Sequence, residues 1–355
     1  VGPSRREVQD IVATTHDDGG PRLREESEGT VLERIFPLLP GGPGVLLGPG
    51  DDAAILATGA SVIATTDSMV RGRDWRDDWS TGRDVGVKLV AQNVADVAAM
   101  GGVTTGLLVS LMADPELAVA WVEDFARGVG EGARRAGCAV LGGDLSSAPP
   151  GVVVVSITAL GDLQGRPPVL RSGARVGDLV GVCGSLGWSG AGLSTYAVPP
   201  PWMSASPSDE ARGGALALVR GYHRAPRPPW EAGPRAADAG ATAMLDLSDG
   251  LVRDGGRIAR GSGVTLALDG DLLREHFLRS PITEVVELEE AWRQVLSGGE
   301  EHSLLATFPE GAVPQDVDLP WVVIGRCVTP DGDGPTVTVD GIRPAVMGWD
   351  HFDPA

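Results

Sequence analysis

Gly48-Pro49-Gly50-Asp51-Asp52 places two adjacent carboxylates on a glycine-proline hinge, and Val62-Ile63-Ala64-Thr65-Thr66-Asp67 follows shortly after. Glycine lets the backbone bend tightly and Pro49 holds one dihedral. Side-by-side aspartates at such a bend stabilise a fold poorly, but they suit a divalent cation. Val62 to Asp67 reads as a buried strand whose C-terminal end delivers Thr65, Thr66 and Asp67 to a loop, where ligand-binding groups usually sit. The pattern recurs in Ala139-Val140-Leu141-Gly142-Gly143-Asp144 and in Met244-Leu245-Asp246-Leu247-Ser248-Asp249-Gly250. Ser297-Gly298-Gly299-Glu300-Glu301 repeats the theme of glycines followed by acids.

Between these motifs helices and strands mix. Residues 30–39 carry apolar side chains at helical spacing before Pro40-Gly41-Gly42. Thr81 is placed to cap a long helix that runs to Met100 and closes on Gly101-Gly102. Asp84, Lys88, Gln92 and Asp96 follow one side of it, and Val85, Leu89, Val90, Val94 and Val97 form the apolar stripe. Asp84–Lys88 reads as an exposed ion pair, worth under ~1 kcal/mol. Asp96 sits among small and apolar residues, where a buried carboxylate needs a partner or a metal. Asp246 and Ser248 fall on one face of a short strand. Asp249 suits either the N-cap of a 251–260 helix or an oxygen-rich corner with those two. Gly184 to Gly192 reads equally as a phosphate cradle or a plain turn.

A length of 355 residues calls for two domains. We expect residues 1–28 to form a flexible tail rather than a targeting segment, 29–163 an N-terminal α/β domain and 164–355 a C-terminal one. The connection lies in the proline- and glycine-rich stretch 161–177. A net charge of −19 speaks against nucleic acid, whose phosphates demand a basic face. Among 29 basic residues Lys88 is the only lysine. No apolar run approaches the ~20 residues needed to span a membrane. Cys138, Cys183 and Cys327 form no CxxC pair, which fits reduced, structural thiols in the cytoplasm.

Asp carboxylates with Thr and Ser hydroxyls are oxygen-only donors, which suit Mg²⁺ rather than zinc. The five histidines show no ligand spacing. Mg²⁺ commonly shares its sphere with substrate phosphates, so ATP is a natural guest even in an acidic chain. There is no Walker A sequence and no protein-kinase motif set. Composition and spacing therefore lead to a cytosolic, Mg²⁺-dependent phosphate-handling enzyme, with Lys88 and Arg171 as cations available to the nucleotide.

The order and spacing of Gly48–Asp52, Thr65–Asp67, Asn93–Gly101, Gly142–Asp144, Arg171-Ser172-Gly173-Ala174, Asp246–Leu251, Ser297–Glu300 and Gly348-Trp349-Asp350-His351-Phe352 resemble those of the thiamine-monophosphate kinase family. The resemblance runs from about Gly29 to Phe352. It implies the aminoimidazole-ribonucleotide-synthetase-like fold: two α/β (α+β) domains of mixed sheets with packed helices, in a homodimer that binds ATP across the subunit interface. It also implies ATP-dependent phosphorylation of thiamine monophosphate. Carried over by position, the Mg²⁺ ligands are Asp52, Thr65, Thr66, Asp67, Asp96, Asp144, Asp246 and Asp249. Gly143, Asp144, Arg171 and Ser248 touch ATP, while Asp74, Glu300 and Trp349 lie on the thiamine side, where a carboxylate and an indole suit a cationic ring. The chain departs from the family pattern at Asp74, where His is usual, and at Glu301, where Asp is usual. Those departures leave open a relative with another acceptor, or a non-catalytic ATP- and Mg²⁺-binding homologue.

Overall fold

The computed structural model describes residues 20–42, 44–47, 55–59, 61–197, 210–345 and 348. Gly48–Asp52, Trp349 and most of the expected tail lie outside them. The chain divides into two units: residues 64–93 and 104–160 with the described part of 1–58, and residues 59–63 and 94–103 with the described part of 161–355.

In the first unit, helix α1 (Glu28–Ile35) is capped by Ser27, whose hydroxyl accepts from Thr30 N at 3.1 Å. A short 3-10 turn, Phe36–Leu38, replaces the rest of the expected helix because Pro37 has no N–H to continue the ladder. Strands β1 (Val45–Leu47) and β2 (Ile55–Leu56) pair antiparallel. β3 (Ile63–Val70) leads to α2 (Gly82–Ala99), and β4 (Val103–Ala113) to α3 (Val119–Ala136). β5 (Ala139–Ser147) and β6 (Val153–Asp162) complete a four-stranded sheet of order β3-β6-β4-β5. Thr81 caps α2 as expected: its hydroxyl accepts from Asp84 N at 3.1 Å, and the Asp84 carboxylate accepts from Thr81 N at 3.0 Å. This reciprocal box satisfies two helix-end donors at once. α2 and α3 pack backbone to backbone, since a Cβ on Gly86 would lie 2.4 Å from Phe125 O.

The side of α2 that carries Asp84, Lys88, Gln92 and Asp96 is buried or half-buried throughout. Lys88 is 2% accessible and Asn93 is fully buried, alongside Leu89, Val90 and Val94. The Asp84–Lys88 pair is therefore not a surface pair; its acid serves the cap. On the other face of the sheet, the open one among the described residues, Val70, Leu108 and Met112 are exposed.

In the second unit, β7 (Leu179–Cys183) is followed by α4 (Trp188–Ala197), α5 (Glu210–Arg224) and α6 (Ala232–Asp238). Next come β8 (Ala243–Asp246), α7 (Leu251–Ser262), β9 (Thr265–Leu268), α8 (Gly270–Phe277), α9 (Ile282–Val285) and α10 (Leu288–Ser297). β10 (Leu304–Phe308), β11 (Trp321–Val328) and β12 (Val337–Val339) finish a six-stranded sheet of order β12-β9-β11-β7-β10-β8. The β10–β7, β10–β8, β11–β7 and β11–β9 pairs are antiparallel, and β12 runs parallel to β9. Val182, Leu245, Ile258, Leu266, Leu305 and Ile324 belong to its core. β8 lies at the edge, so the C-terminal end of that strand, Asp246, sits beside Leu304 where β10 begins. All three cysteines are free and buried, and burial pushes each thiol up to about 12.

Candidate functional site

In the first unit, exposure alternates along β3: Thr65, Asp67 and Met69 lie on the covered face, Thr66, Ser68 and Val70 on the open one. A period of two makes this unavoidable. It separates the Thr66 side chain from the other two, and Thr66 donates to Ile157 O at 2.9 Å. The backbone of Asp67 is clamped on both sides. Its N–H donates to Asn93 Oδ1 at 3.1 Å, and its carbonyl accepts from Ser156 Oγ at 2.9 Å. Asn93 is itself anchored through Nδ2 to Leu89 O at 2.9 Å. Asp96, in the stretch of α2 that belongs to the second unit, lies about one helical turn after Asn93 and is half-buried.

Gly143 and Asp144 are set by a bulge. Leu107 pairs with Val140 and Leu108 with Gly142, leaving Leu141 as the extra residue on β5. After it Asp144 pairs with Ser110, so its exposed carboxylate shares the open face with Leu108 and Met112. Ser146 Oγ donates to Asp144 at 2.6 Å. Only glycine fits at 143, where a Cβ would lie 1.8 Å from Val109 O.

Asp74 closes the turn after β3. Its carboxylate accepts from Val70 N at 2.7 Å, and its carbonyl accepts from the buried Lys88 ammonium at 3.5 Å. The lone lysine of the chain thus reaches the backbone of the residue whose carboxylate closes the turn.

In the second unit, Asp246 ends β8 and is 5% accessible. Ser248 lies beyond the strand, so the expected shared face with Asp246 does not form; its carbonyl accepts from Glu300 N at 2.7 Å. Asp249 is not the helix cap either. Gly250 holds that position with φ +109°, and the cap acceptor is Asp254, fully buried in the first turn of α7. Asp254 takes the N–H groups of Asp249 and Gly250 at 2.8 and 3.1 Å. Arg257 bridges Asp249 and Asp254. Burial, reinforced by the nearby Asp246 charge, pushes Asp254 up to about 7. Arg171 is held through its backbone. Its carbonyl accepts from Ser262 Oγ at the far end of α7, a helix of 12 residues. At ~1.5 Å per residue that end is about 17 Å from Gly250.

Glu300 and Glu301 part company. Glu300 is half-buried and pairs with the buried His223 at 3.2 Å. Glu301 is fully buried and accepts from Ser185 Oγ at 2.7 Å and Ser189 N at 2.6 Å. It thereby supplies the acceptor for the N-terminus of α4 and resolves the glycine-rich stretch Gly184–Gly192: a carboxylate of the chain itself occupies the helix end that a phosphate could have used. Burial raises Glu301 to about 7 against the pull of those hydrogen bonds. The next residue, His302, is 3% accessible and turns Nδ1 to Asp246 Oδ2 at 3.0 Å. Asp254, His223 and His302 had no signal in residue spacing, and the roles of all three depend on partners brought in by the fold. Among the described residues no three His, Cys, Asp or Glu side chains gather as a metal-binding group.

Comparison with known proteins bears on both units. Residues 50–163 match the AIR synthase related protein, N-terminal domain family. A thiamine-monophosphate kinase of Mycobacterium tuberculosis is 40% identical over 337 residues, 94% of this chain and 93% of the relative. The crystal structure of thiamine-monophosphate kinase from Stenotrophomonas maltophilia K279a superposes with a TM-score of 0.73 at 28% identity, covering 90% of this chain and 98% of that one. AaThiL complexed with AMPPCP and TMP superposes with a TM-score of 0.66 at 29% identity, covering 82% and 87%.

Proposed function

The chain belongs to the thiamine-monophosphate kinase family, and from that premise we propose that it moves the γ-phosphoryl group of ATP directly onto the phosphate of thiamine monophosphate. The products are ADP and thiamine diphosphate. The end-to-end similarity to relatives of that name carries the reading. The acceptor is a phosphate monoester, already largely dianionic near pH 7 because its second pKa is about 6. It needs no general base, so the work left to the protein is alignment and charge compensation. That accords with buried, unreactive cysteines.

The donor set fits a hard divalent cation, since Asp67, Asp96, Asp144, Asp246 and Asp249 offer oxygen alone, and Asp144 is exposed. These residues, with Thr65 and Asp52, would hold Mg²⁺, which when bound neutralises phosphate charge. Thr66 joins this set from the open face of the sheet, which also carries Asp144. We assign Gly143, Asp144, Ser248 and Arg171 to ATP, and Glu300 and Trp349 to the thiamine side. Asp74 and Lys88 shape the turn next to that machinery. The open face of the four-stranded sheet, with Val70, Leu108 and Met112 exposed, supports a homodimer built on it. No helix among the described residues is long and apolar enough to cross a membrane; the three free thiols support a cytoplasmic location.

The test is direct. Purified protein with ATP, Mg²⁺ and thiamine monophosphate should yield thiamine diphosphate, lose activity with EDTA and regain it with added Mg²⁺. ATP binding without product sinks the reading.

A further inference from the structure

Glu300 and His302 both have positive φ, +60° and +53°. Side chains with a Cβ rarely adopt this region, and they do so where the surroundings over-determine them. Here the turn is tied to the end of β8 by two backbone bonds: Glu300 N donates to Ser248 O at 2.7 Å, and His302 N to Leu247 O at 2.8 Å. Between them Glu301 is locked into the N-terminus of α4. The outcome of this strained, three-point attachment is that the His302 ring meets Asp246, with both side chains almost wholly buried.

We propose that His302 is a positioning residue for Asp246, fixing the orientation in which that carboxylate serves as a Mg²⁺ ligand. A carboxylate oxygen accepts, so the ring nitrogen facing it carries the hydrogen. The contact at 3.0 Å engages Oδ2 and leaves Oδ1 as the oxygen for the cation. Hydrogen-bonded partners of this kind, one layer behind a ligand, orient it and set its affinity. The inference rests on the reading of Asp246 as a metal ligand.

Two substitutions separate positioning from mere packing. In H302N the amide nitrogen takes the place of Nδ1, and Asn tolerates positive φ. In H302Q it takes the place of Nε2 and leaves Asp246 without its donor. Mn²⁺ binding, followed by the paramagnetic resonance of the free ion in the presence of a non-hydrolysable ATP analogue, should weaken roughly 10–100-fold in H302Q and less than about threefold in H302N. Equal affinity in wild type and H302Q overturns the proposal, as does H302N binding as weakly as H302Q. D246N is the control. If it loses Mn²⁺ while H302Q does not, the positioning role alone fails; if it keeps wild-type affinity, the ligand assignment fails and takes the inference with it. Nitrogen NMR of the imidazole rings in the unmutated protein needs no variant to fold. The Nδ1–H tautomer at His302 supports the proposal, and the Nε2–H tautomer overturns it.

Discussion

Acids in the two units share the same sequence setting, a strand end or a glycine bend, yet the fold treats them differently. Asp144 of the first unit is exposed on its strand, and Asp67 is held by its backbone through Asn93 and Ser156. In the second unit Asp254 and Glu301 are fully buried and spent on Arg257, Ser185 and backbone N–H groups, while Asp246, also buried, gives one oxygen to His302 and keeps the other. A carboxylate at a glycine bend can therefore be presented or consumed. Burial and the nearest donor decide which, because an unpaired buried charge is too costly to keep.

Four experiments press on that contrast. The largest effect is expected for D67N, which should lower the rate of phosphoryl transfer by roughly 10³-fold or more while leaving the melting temperature within a few degrees. A coupled assay beside calorimetry checks both halves, and near-normal turnover would place Asp67 with the structural acids. D254A should do the opposite, removing about 3–5 kcal/mol of stability in urea unfolding because Arg257 and the N–H groups of Asp249 and Gly250, just ahead of α7, lose their acceptor. Unchanged stability would mean that burial does not mark the consumed acids.

E301Q gives a pH signature. Glu301 is raised to about 7 from an ordinary value of 4.5. The folded protein thus holds a proton that the unfolded chain releases, so this group's stabilising contribution is complete below its unfolded pKa and is lost as pH rises through about 7. Glutamine cannot ionise. The melting temperature of E301Q relative to wild type should therefore climb by several degrees between pH 5 and 8, and a flat difference would contradict the burial cost. The smallest effect belongs to Asp74. D74A should cost about 1 kcal/mol for the lost bond from Val70 N, and D74N much less. If D74N instead changes the KM for thiamine monophosphate more than about threefold, the carboxylate is presented to the acceptor rather than consumed by its turn.

Much of the fold could be read from local signals. The α2 cap at Thr81 and the glycine pair after it bounded a helix because capping and glycine act within one turn. The strands leading into Asp67 and Asp144 stood out because β-branched and apolar runs have few alternatives. Side-chain partnerships were harder. Lys88 falls on the polar side of a helical wheel, yet the wheel carries no information about what packs against that side. Asp254 is one acid among many along the chain, and only the path through Gly250 shows that it caps the turn. Ser248 was placed on a strand face by counting from Asp246, but the strand had already ended.

By itself the sequence determined the order of acidic strand-end motifs, the oxygen-only chemistry they offer, and the family to which that order points. These are properties of neighbouring residues and of spacing, and they survive without coordinates. Tertiary structure alone decided which acids are available. It buried Glu301 under α4, set His302 against Asp246 and turned Thr66 away from Asp67, because burial and pairing depend on segments far apart in the chain that meet only when the sheets close.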